Sequence, residues 1–484
     1  MNTQQTEVGY VISSKDFLVY LDGLPTVKVN DLVENELGGR GWVNSLSADK
    51  VEVLMLDDTK VTPGQLFKRL PERLGIAAGD HLLGRAINPL GIPIDGKGLL
   101  SKNKNATNLE LEQEAPGIKA RQFITDQFTS SITIIDSLIP IGKGQRELVV
   151  GDAHSGKTAF LIDMIVNQKG TGTVCIYASI GKPVATVRDL IDILRANNAL
   201  SYSTIIAASS NESAPLIFLT PKTALALAEY FQKKGLNVLV ILDDMGNHAK
   251  IYREISLLGD KTPGRESYPG DIFYQHAHLI ERAGNFKKEY GGGSITALPV
   301  IELNLTDFTT FIPTNLMAMT DGHLLFKSSL HNVGQRPAID ISLSVSRVGR
   351  QTQNKLASLL SSRIRQLLSQ AEELETISKF SSELPFETQL ILRQKRLIEE
   401  IIKQQSLTAV AKEIQSILLA LIFTGFMADK DRNFLEKYKG TLIQAFLKEP
   451  SLLKITKSVN QLESVEQLVE LLEGVRPILT KICP

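Results

Sequence analysis

The residues Gly151-Asp152-Ala153-His154-Ser155-Gly156-Lys157-Thr158 decide the fold of this chain. They read G-x-x-x-x-G-K-T, the pattern of a loop that binds nucleotide phosphates. Glycines let the backbone turn so that its N–H groups point at phosphate oxygens. Lys157 can reach the β- and γ-phosphates, and the Thr158 hydroxyl can bind Mg²⁺. An ordinary glycine-rich turn is the alternative, but the pattern favours a site for nucleotide phosphates.

The segments around the loop support this interpretation. Residues 147–150 read as a buried strand, and residues 158–168 as a helix with apolar side chains at helical spacing. Further strands are predicted at 173–180, 204–208, 237–242 and 297–302, and further helices at 186–198, 221–234 and 272–283. Strands that alternate with helices predict a parallel sheet covered by helices.

Three zones of the chain differ in their pattern. Residues 1–74 contain short strand-like runs between turn residues, which predict a β-barrel domain. Residues 75–353 are predicted to form the P-loop nucleotide-binding α/β domain. Residues 354–484 contain only three glycines and show helical periodicity, which predicts a helical bundle. The predicted fold class is therefore multidomain, with an N-terminal β-barrel, a central α/β domain and a C-terminal helical bundle.

Composition excludes several classes of protein. The 484 residues include 53 Lys plus Arg and 53 Asp plus Glu, which argues against a nucleic-acid partner bound through a large basic surface. Cys175 and Cys483 make no disulfide framework, as in proteins of reducing compartments. Residues 1–5 lack a basic-then-apolar signal, and the longest apolar run, 417–428, is too short to span a bilayer. Any membrane association is therefore expected to come through partners.

A second element of the predicted nucleotide site is the apolar run 237–242, which ends in Asp243 and Asp244. A carboxylate at the C-terminal end of a buried central strand is what Mg²⁺ needs opposite the phosphate loop. Asp243 is therefore predicted to help hold Mg²⁺ together with Thr158, and Asp244 to make a structural hydrogen bond. A simple loop start is the alternative for both.

Several segments in combination resemble the α subunits of F-type ATP synthases. The similarity extends from about residue 6 to about residue 440, and the three zones match the barrel, nucleotide domain and helical domain of that family. It is carried by residues 84–98, 115–118, 136–147, 263–271, 291–299, 312–315, 336–340 and 344–349.

The resemblance implies a set of partners. The family forms a ring of three α and three β subunits around a central-stalk γ subunit, and catalysis occurs at sites held mostly by β. An α subunit binds Mg-ATP without turning it over and lends an arginine to the neighbouring catalytic site. The resemblance thus implies a catalytic β-like partner in an alternating hexamer, a γ-like shaft, and a membrane sector reached through other subunits. The expected location is peripheral, on the cytoplasmic face of a membrane or on an organellar inner membrane.

Two residues indicate which kind of subunit this chain is. In catalytic subunits a glutamate after the second strand orients the attacking water, whereas the aligned residue here is Lys182. A lysine ammonium offers no lone pair and cannot act as that base. The α family usually has glutamine there, and a solvated surface lysine is the alternative reading of Lys182. Arg347, in the segment Ser-Val-Ser-Arg-Val-Gly, matches the family's trans-acting arginine, and a structural ion pair is its alternative role.

The resemblance also predicts contacts to the base, and the chain departs from the family's pattern at several positions. Arg336 and Pro337 match a segment beside the adenine, and Gln404 and Gln405 fall where two glutamines bracket the base, with one residue less between them. His331 stands where an aromatic residue is usual, and Ala153 and His154 replace Arg and Gln in the loop. The given sequence begins almost at the predicted barrel. The family's N-terminal helix, which meets the peripheral stalk, is therefore expected to be missing or very short, and a peripheral-stalk δ-like subunit is only a possible partner.

Three other functions compete with a non-catalytic α-like subunit that couples ATP synthesis or hydrolysis to transport of protons or another ion. The first is an α-like subunit of an F-type-like motor not used for ATP synthesis, which the short N-terminus and the divergent site residues favour. The second is a homohexameric export ATPase, which Lys182 argues against. The third is a ring-shaped RNA translocase, which the neutral charge and the absence of an aromatic-rich RNA platform argue against.

Overall fold

The structure, a computed structural model, describes residues 7–100, 106–303, 309–378 and 385–484. These residues form two compact units. The first unit runs through Phe123 and includes Gly144–Val150 and Gln168–Thr320, and the second comprises Ile124–Lys143, Gly151–Asn167 and Asp321–Pro484. Residues 1–5, in which no targeting signal is predicted, lie outside the described part.

The first unit begins with a closed antiparallel barrel. Its strands are rich in branched and aromatic side chains, and Val53 and Phe67 among them are fully buried. Closure leaves no open edge that another chain could pair with. The six strands are Val8–Lys15, Leu18–Gly23, Asp31–Asn35, Arg40–Leu46, Val51–Met55 and Leu66–Arg73.

The same unit contains a parallel sheet. Its strands are nearly continuous apolar runs because both faces of a parallel sheet are covered. The register aligns Ser179 with Asp243 on neighbouring strands, which brings the carboxyl ends of these two strands together. The order across the sheet is Glu147–Asp152, of which residues 147–150 belong to this unit, then Ser294–Leu303, Asn237–Asp243, Val174–Lys182, Ser203–Ser209 and Ala86–Ile87.

Helices accompany the strands of the first unit. The longest, Ala214–Lys233, is buried over almost its whole length, and Pro215 stands in its first turn, where a missing N–H costs nothing. Short antiparallel pairs add Gly75–Ala78 with Thr107–Glu110, and Gly284–Asn285 with the strand Ser294–Leu303. The other helices are Val184–Ala196, Met245–Leu258, Ile272–Ile280 and Phe311–Met319.

The second unit contains the phosphate loop and is mainly helical. Two small antiparallel pairs occur in it, Gln127–Phe128 with Ile141–Gly142 and Gly322–Phe326 with Val345–Ser346. Its apolar core includes Ile364, Ile398, Leu418 and Leu435, one side chain from each of four helices. The helices are Thr133–Leu138, Lys157–Val166, Ser328–Asn332, Lys355–Ser378, Phe386–Ile402, Lys412–Leu421, Arg432–Lys448, Pro450–Ser458, Val465–Gly474 and Arg476–Ile482.

The predicted fold class is confirmed, with a six-stranded barrel, an α/β nucleotide-binding fold and a C-terminal helical part. The boundaries at 74/75 and 353/354 stay predictions. Cys175 and Cys483 are both free and buried. Within the described ranges, no helix combines the length and the apolar character that a membrane span requires.

Candidate nucleotide-binding site

The phosphate loop lies in the second unit and leads into the helix Lys157–Val166. Gly156 precedes that helix with φ of 89° and ψ of 11°, a left-handed conformation that glycine adopts without strain. The first N–H groups of a helix have no partner within the helix, and the helix dipole makes this end positive. The loop therefore presents its donors where phosphate would be bound.

Lys157 and Ser155 stabilise the curve of the loop. The Lys157 ammonium donates to the carbonyl oxygens of Gly151, at 2.8 Å, and Asp152, at 2.5 Å, and is buried. The Ser155 hydroxyl donates to the same Asp152 carbonyl at 2.7 Å. The side chains of Ala153, His154 and Thr158 are exposed, so the Thr158 hydroxyl is accessible to a ligand.

Residues predicted to lie beside the base gather next to the loop within the second unit. The His331 ring lies against Gly156, where an added Cβ would come within 3.2 Å of Cδ2. Arg336 donates to the carbonyl oxygens of His331, at 2.7 Å, and Gln335, at 3.0 Å. Burial, and then the charge of Arg336, lower the pKa of His331. The neutral form of the His331 ring is therefore favoured beside the loop.

The two predicted glutamines differ in their surroundings. The Gln404 backbone N–H donates to the carbonyl of Arg336 at 2.7 Å, which joins the segments 336–337 and 404–405. Its buried side chain accepts from the N–H and hydroxyl of Thr133, both at 3.0 Å, and donates to the carbonyls of Ser131, at 2.8 Å, and Thr408, at 2.6 Å. The Gln405 side chain is exposed. Gln405 is therefore available to a base, whereas contact through the Gln404 amide would cost existing hydrogen bonds.

Asp163 supports this segment from the helix that follows the loop. Its carboxylate accepts from the backbone N–H of Leu407 at 2.7 Å. Burial raises the pKa of Asp163 to about 6, although the hydrogen bond from Leu407 opposes the shift. The sequence analysis did not single out Asp163. The sequence offered one indication of its role, namely that Asp163 is a lone acidic residue among the apolar residues of this helix.

In the first unit, Lys182 forms ion pairs with both acids that end the strand Asn237–Asp243. Its Nζ lies 3.0 Å from Oδ1 of Asp243 and 3.4 Å from Oδ2 of Asp244, and its side chain is only 21% exposed. Burial acts to lower the pKa of Lys182, but the two carboxylates outweigh it and the pKa is raised. The alternative of a solvated surface lysine is therefore wrong.

Asp243 and Asp244 have further partners in the first unit. The Tyr177 hydroxyl donates to Oδ2 of Asp243 at 2.6 Å. Asp244 accepts from the N–H of Asn247 at 2.6 Å and caps the helix Met245–Leu258. The structural hydrogen bond predicted for Asp244 is thus present. Tyr177 was missed because its hydroxyl meets Asp243 only through the pairing of two strands, and that pairing is not visible in one sequence.

Arg347 lies in the second unit just after the strand Val345–Ser346 and is exposed. Its backbone N–H donates to the carbonyl of Asp321 at 3.0 Å. Among the described residues its guanidinium has neither a hydrogen bond nor an ion pair. The structural ion pair that was the alternative for Arg347 is therefore not found in this part of the chain.

Comparison with known proteins agrees with this arrangement. Residues 131–346 match the nucleotide-binding domain of the ATP synthase alpha/beta family, and residues 353–474 match the C-terminal domain of its alpha/beta chains. The chain is 41% identical to ATP synthase subunit alpha of Metamycoplasma arthritidis, over 97% of this chain and 89% of the relative. It is 42% identical to that of Caldanaerobacter subterraneus, over 88% and 84%, and 38% identical to that of Mycoplasma pneumoniae, over 93% and 86%. The phosphate loop, the three-part fold and these similarities together show that the chain belongs to the family of ATP synthase alpha subunits.

Proposed function

We propose that this chain is a non-catalytic, ATP-binding subunit of an F-type ATP synthase and lends Arg347 to the catalytic site of a neighbouring β subunit. The observation that carries the proposal is the ion pairing of Lys182 with Asp243 and Asp244. A catalytic site needs a carboxylate at this position to orient water, and an ammonium held by two carboxylates cannot accept a proton. The chain can then bind ATP without an efficient route to hydrolysis.

Nucleotide binding is assigned to the loop of residues 151–158. Its backbone N–H groups and the Lys157 ammonium would hold the phosphates of ATP or ADP. Arg336, Pro337 and the exposed Gln405 would border the base, and Gln404 would support them through its hydrogen bond to Arg336. These roles fit the residue types, because a cation and backbone donors suit phosphate whereas amides and a flat hydrophobic edge suit adenine.

Mg²⁺ is the ion that the sequence predicts at this nucleotide, through Thr158 and Asp243. The exposed Thr158 hydroxyl fits that role, because Mg²⁺ takes oxygen ligands. The Asp243 carboxylate fits it poorly, since the Lys182 ammonium and the Tyr177 hydroxyl already occupy it. We therefore assign metal binding to Thr158 alone, and no step of the mechanism depends on Asp243 and a metal.

Arg347 is the residue by which this chain would take part in catalysis. Charge on a transferring phosphoryl group spreads over its oxygens, and a guanidinium offers planar donors that match them. The exposed guanidinium has no partner in the described part of its own chain, as expected of a group that acts on a neighbour. The chain would occupy alternate positions of a hexamer with β subunits, around a γ-like shaft. Ion transport would belong to a membrane sector that the chain reaches through other subunits at the membrane surface.

Experiments on the purified chain test whether it binds ATP without hydrolysing it. We expect it to bind ATP and to hydrolyse it scarcely, because the water-orienting carboxylate is absent. Equilibrium dialysis with labelled ATP measures binding, and phosphate release measures turnover, with the complex reconstituted from this chain and its β partner as the positive control. Steady turnover by the chain alone at the rate of the complex would contradict the proposal.

A further inference from the structure

The helix Phe386–Ile402 ends just before the segment 404–405, to which contact with the base is assigned. The last carbonyl groups of a helix have no partner within the helix, and the helix dipole makes this end negative. A positively charged side chain can bond to these carbonyls and also favours the dipole. The structure supplies such a charge from a different helix, Arg432–Lys448, through Lys439.

Three carbonyl oxygens surround the Lys439 ammonium. Its Nζ donates to the carbonyls of Glu400, at 2.9 Å, and Ile401, at 2.7 Å, and also to the carbonyl of Lys403. An ammonium has three N–H donors, so each donor has an acceptor. The sequence analysis did not single out Lys439, because these contacts join residues that are at least 36 positions apart.

The third of these bonds reaches the residues beside the base. The carbonyl of Lys403 and the N–H of Gln404 belong to one planar peptide group. This N–H donates to the carbonyl of Arg336 at 2.7 Å. Arg336 donates to the carbonyl of His331, whose ring lies against Gly156 of the phosphate loop. The ammonium therefore holds one side of a peptide group whose other side is bonded to a predicted base contact.

We propose that Lys439 is a positioning residue of the nucleotide site, whose protonated side chain holds Gln404 and Gln405 in place beside the base. The inference rests on the proposed function, because it concerns residues that border the base there. All of these residues belong, with the phosphate loop, to the second compact unit. Lys439 acts on the segment that borders the base, so its effect is expected on recognition of the base and not of the phosphates.

Loss of the proton from Lys439 would change these contacts. A neutral amine has two N–H donors and one lone pair, so it cannot donate to all three carbonyls. One carbonyl would lose its partner, and the lone pair of the amine would face oxygen atoms that repel it. The peptide group between Lys403 and Gln404 would then lose one of the two bonds that fix it, and the base would lose a fixed border.

The protonation of Lys439 changes close to neutral pH. Burial lowers the pKa of Lys439 to about 8, while the Glu400 carboxylate opposes this shift and the Lys403 ammonium adds to it. Glu400 also pairs with Lys403 at 3.5 Å and with Arg432, from the helix that carries Lys439, at 3.0 Å. The charged form of Lys439 therefore predominates at about pH 7 and is largely lost at about pH 9. The affinity for ATP should accordingly fall as pH rises through this range.

The affinity of the purified chain for ATP in excess Mg²⁺, measured at about pH 7 and about pH 9, tests the proposal. We expect the wild-type dissociation constant to rise by about fivefold or more between the two. Lys439→Arg keeps its charge at both pH values, so its affinity should change by less than about twofold. Lys439→Met has no charge at either pH and should bind ATP about tenfold less tightly than wild type at neutral pH.

Inorganic triphosphate separates positioning of the base segment from a general loss of structure. It carries the phosphates of ATP without the base, so Lys439→Met should bind it within about twofold of wild type at neutral pH. Lys437→Met removes an exposed lysine of the same helix and is the matched control. It should bind both ligands as the wild-type chain does.

The outcomes separate this inference from the proposed function. A wild-type chain that binds ATP equally well at both pH values would overturn the inference and leave nucleotide binding intact. That result is decisive even if Lys439→Met fails to fold, because it needs only the wild-type protein. A folded Lys439→Met chain that weakens ATP and triphosphate alike would also overturn it, as would a Lys439→Arg chain with the pH profile of wild type. A wild-type chain that binds neither ligand would instead overturn the proposed function, and the inference with it.

Discussion

The Lys157 ammonium donates to two carbonyl oxygens of its own loop, Gly151 and Asp152. The Lys157 side chain is buried, and phosphate oxygens would be stronger acceptors for its ammonium than these carbonyls because they are charged. The two carbonyl bonds thus hold the ammonium within the loop before a nucleotide binds. Preorganisation of this kind is how a binding site keeps the gain from a charged hydrogen bond.

Lys157→Ala should weaken ATP binding to this chain by about 1.5–3 kcal/mol, the contribution of a hydrogen bond to a charged group. That loss corresponds to a roughly tenfold to 150-fold rise in the dissociation constant. Equilibrium dialysis with the purified variant measures it, and Lys169→Ala, which removes an exposed lysine, is the matched control. A complex that assembles normally but loses all ATPase activity with Lys157→Ala would show that this loop is catalytic.

Lys182 shows which properties of a single residue can be predicted from sequence and which cannot. The chemistry of an ammonium was enough to exclude a general base. The ion pairs with Asp243 and Asp244 were not predictable, because they depend on the register between the strands Val174–Lys182 and Asn237–Asp243. The same limit applies to Gln404, whose type suggested a base contact while its side chain is bonded to Thr133, Ser131 and Thr408.

The helix Lys157–Val166 joins the phosphate loop to the segment that carries Gln404 and Gln405, through the hydrogen bond from Leu407 to Asp163. Burial raises the pKa of Asp163 to about 6. The folded chain therefore holds this proton at pH values where the unfolded chain has lost it, so the contribution of Asp163 to stability falls as pH rises from about 4 to about 6.

Asp163→Asn should raise the melting temperature of the chain near neutral pH, because it keeps an oxygen for the Leu407 N–H and removes the buried charge. One pKa unit corresponds to about 1.4 kcal/mol, so we expect a gain of roughly 1–3 kcal/mol. The gain should shrink towards pH 5, where the wild-type carboxyl becomes protonated. Thermal unfolding at several pH values measures this.

Asp163→Ala is the control, since it removes both the charge and the acceptor. It should be less stable than Asp163→Asn at every pH, because the Leu407 N–H would lose its partner. A variant Asp163→Asn that is less stable than wild type near neutral pH would show that the ionised carboxylate is favourable there. The raised pKa would then be wrong.

Secondary structure was predicted well where hydrophobic patterns are strong. The strand predicted at 237–242 is observed at Asn237–Asp243, and that at 173–180 at Val174–Lys182. The helix predicted at 221–234 instead begins at Ala214. Pro221 lies inside this helix, where it removes a backbone hydrogen bond, and the burial of the helix offsets that loss. The helix Met245–Leu258 was not predicted, since Gly246 and Asn247 in its first turn are typical of loops.

The chain as a whole contains three structural regions that its sequence predicted, namely a barrel, an α/β fold and a helical part. The two compact units divide the chain differently, because residues 124–143 and 151–167 pack with residues after 321. The sequence pattern changes from one zone of the chain to the next, but it does not show which distant segments pack together. Family membership could be predicted because it rests on several motifs in combination.

Under the proposed function, the molecule contributes to catalysis through one group, the Arg347 guanidinium, which acts in the catalytic site of a neighbouring subunit. An arginine of this kind acts mainly as the transition state forms, when charge on the transferring group must be stabilised. Hexamer assembly and the nucleotide affinity of this chain should therefore not depend on Arg347. Arg347→Lys should fail almost as fully as Arg347→Ala, since one ammonium cannot reproduce the planar fork of a guanidinium.

The most direct test of this catalytic role is the multi-site ATPase activity of the complex reconstituted with Arg347→Ala. The wild-type complex and a complex with Arg350→Ala, which removes a neighbouring exposed arginine, are measured beside it. We predict that the Arg347→Ala complex assembles, that this chain still binds ATP, and that hydrolysis is slower by about 10³-fold or more. Near-wild-type turnover by the assembled Arg347→Ala complex would contradict the account and remove the catalytic role of this chain.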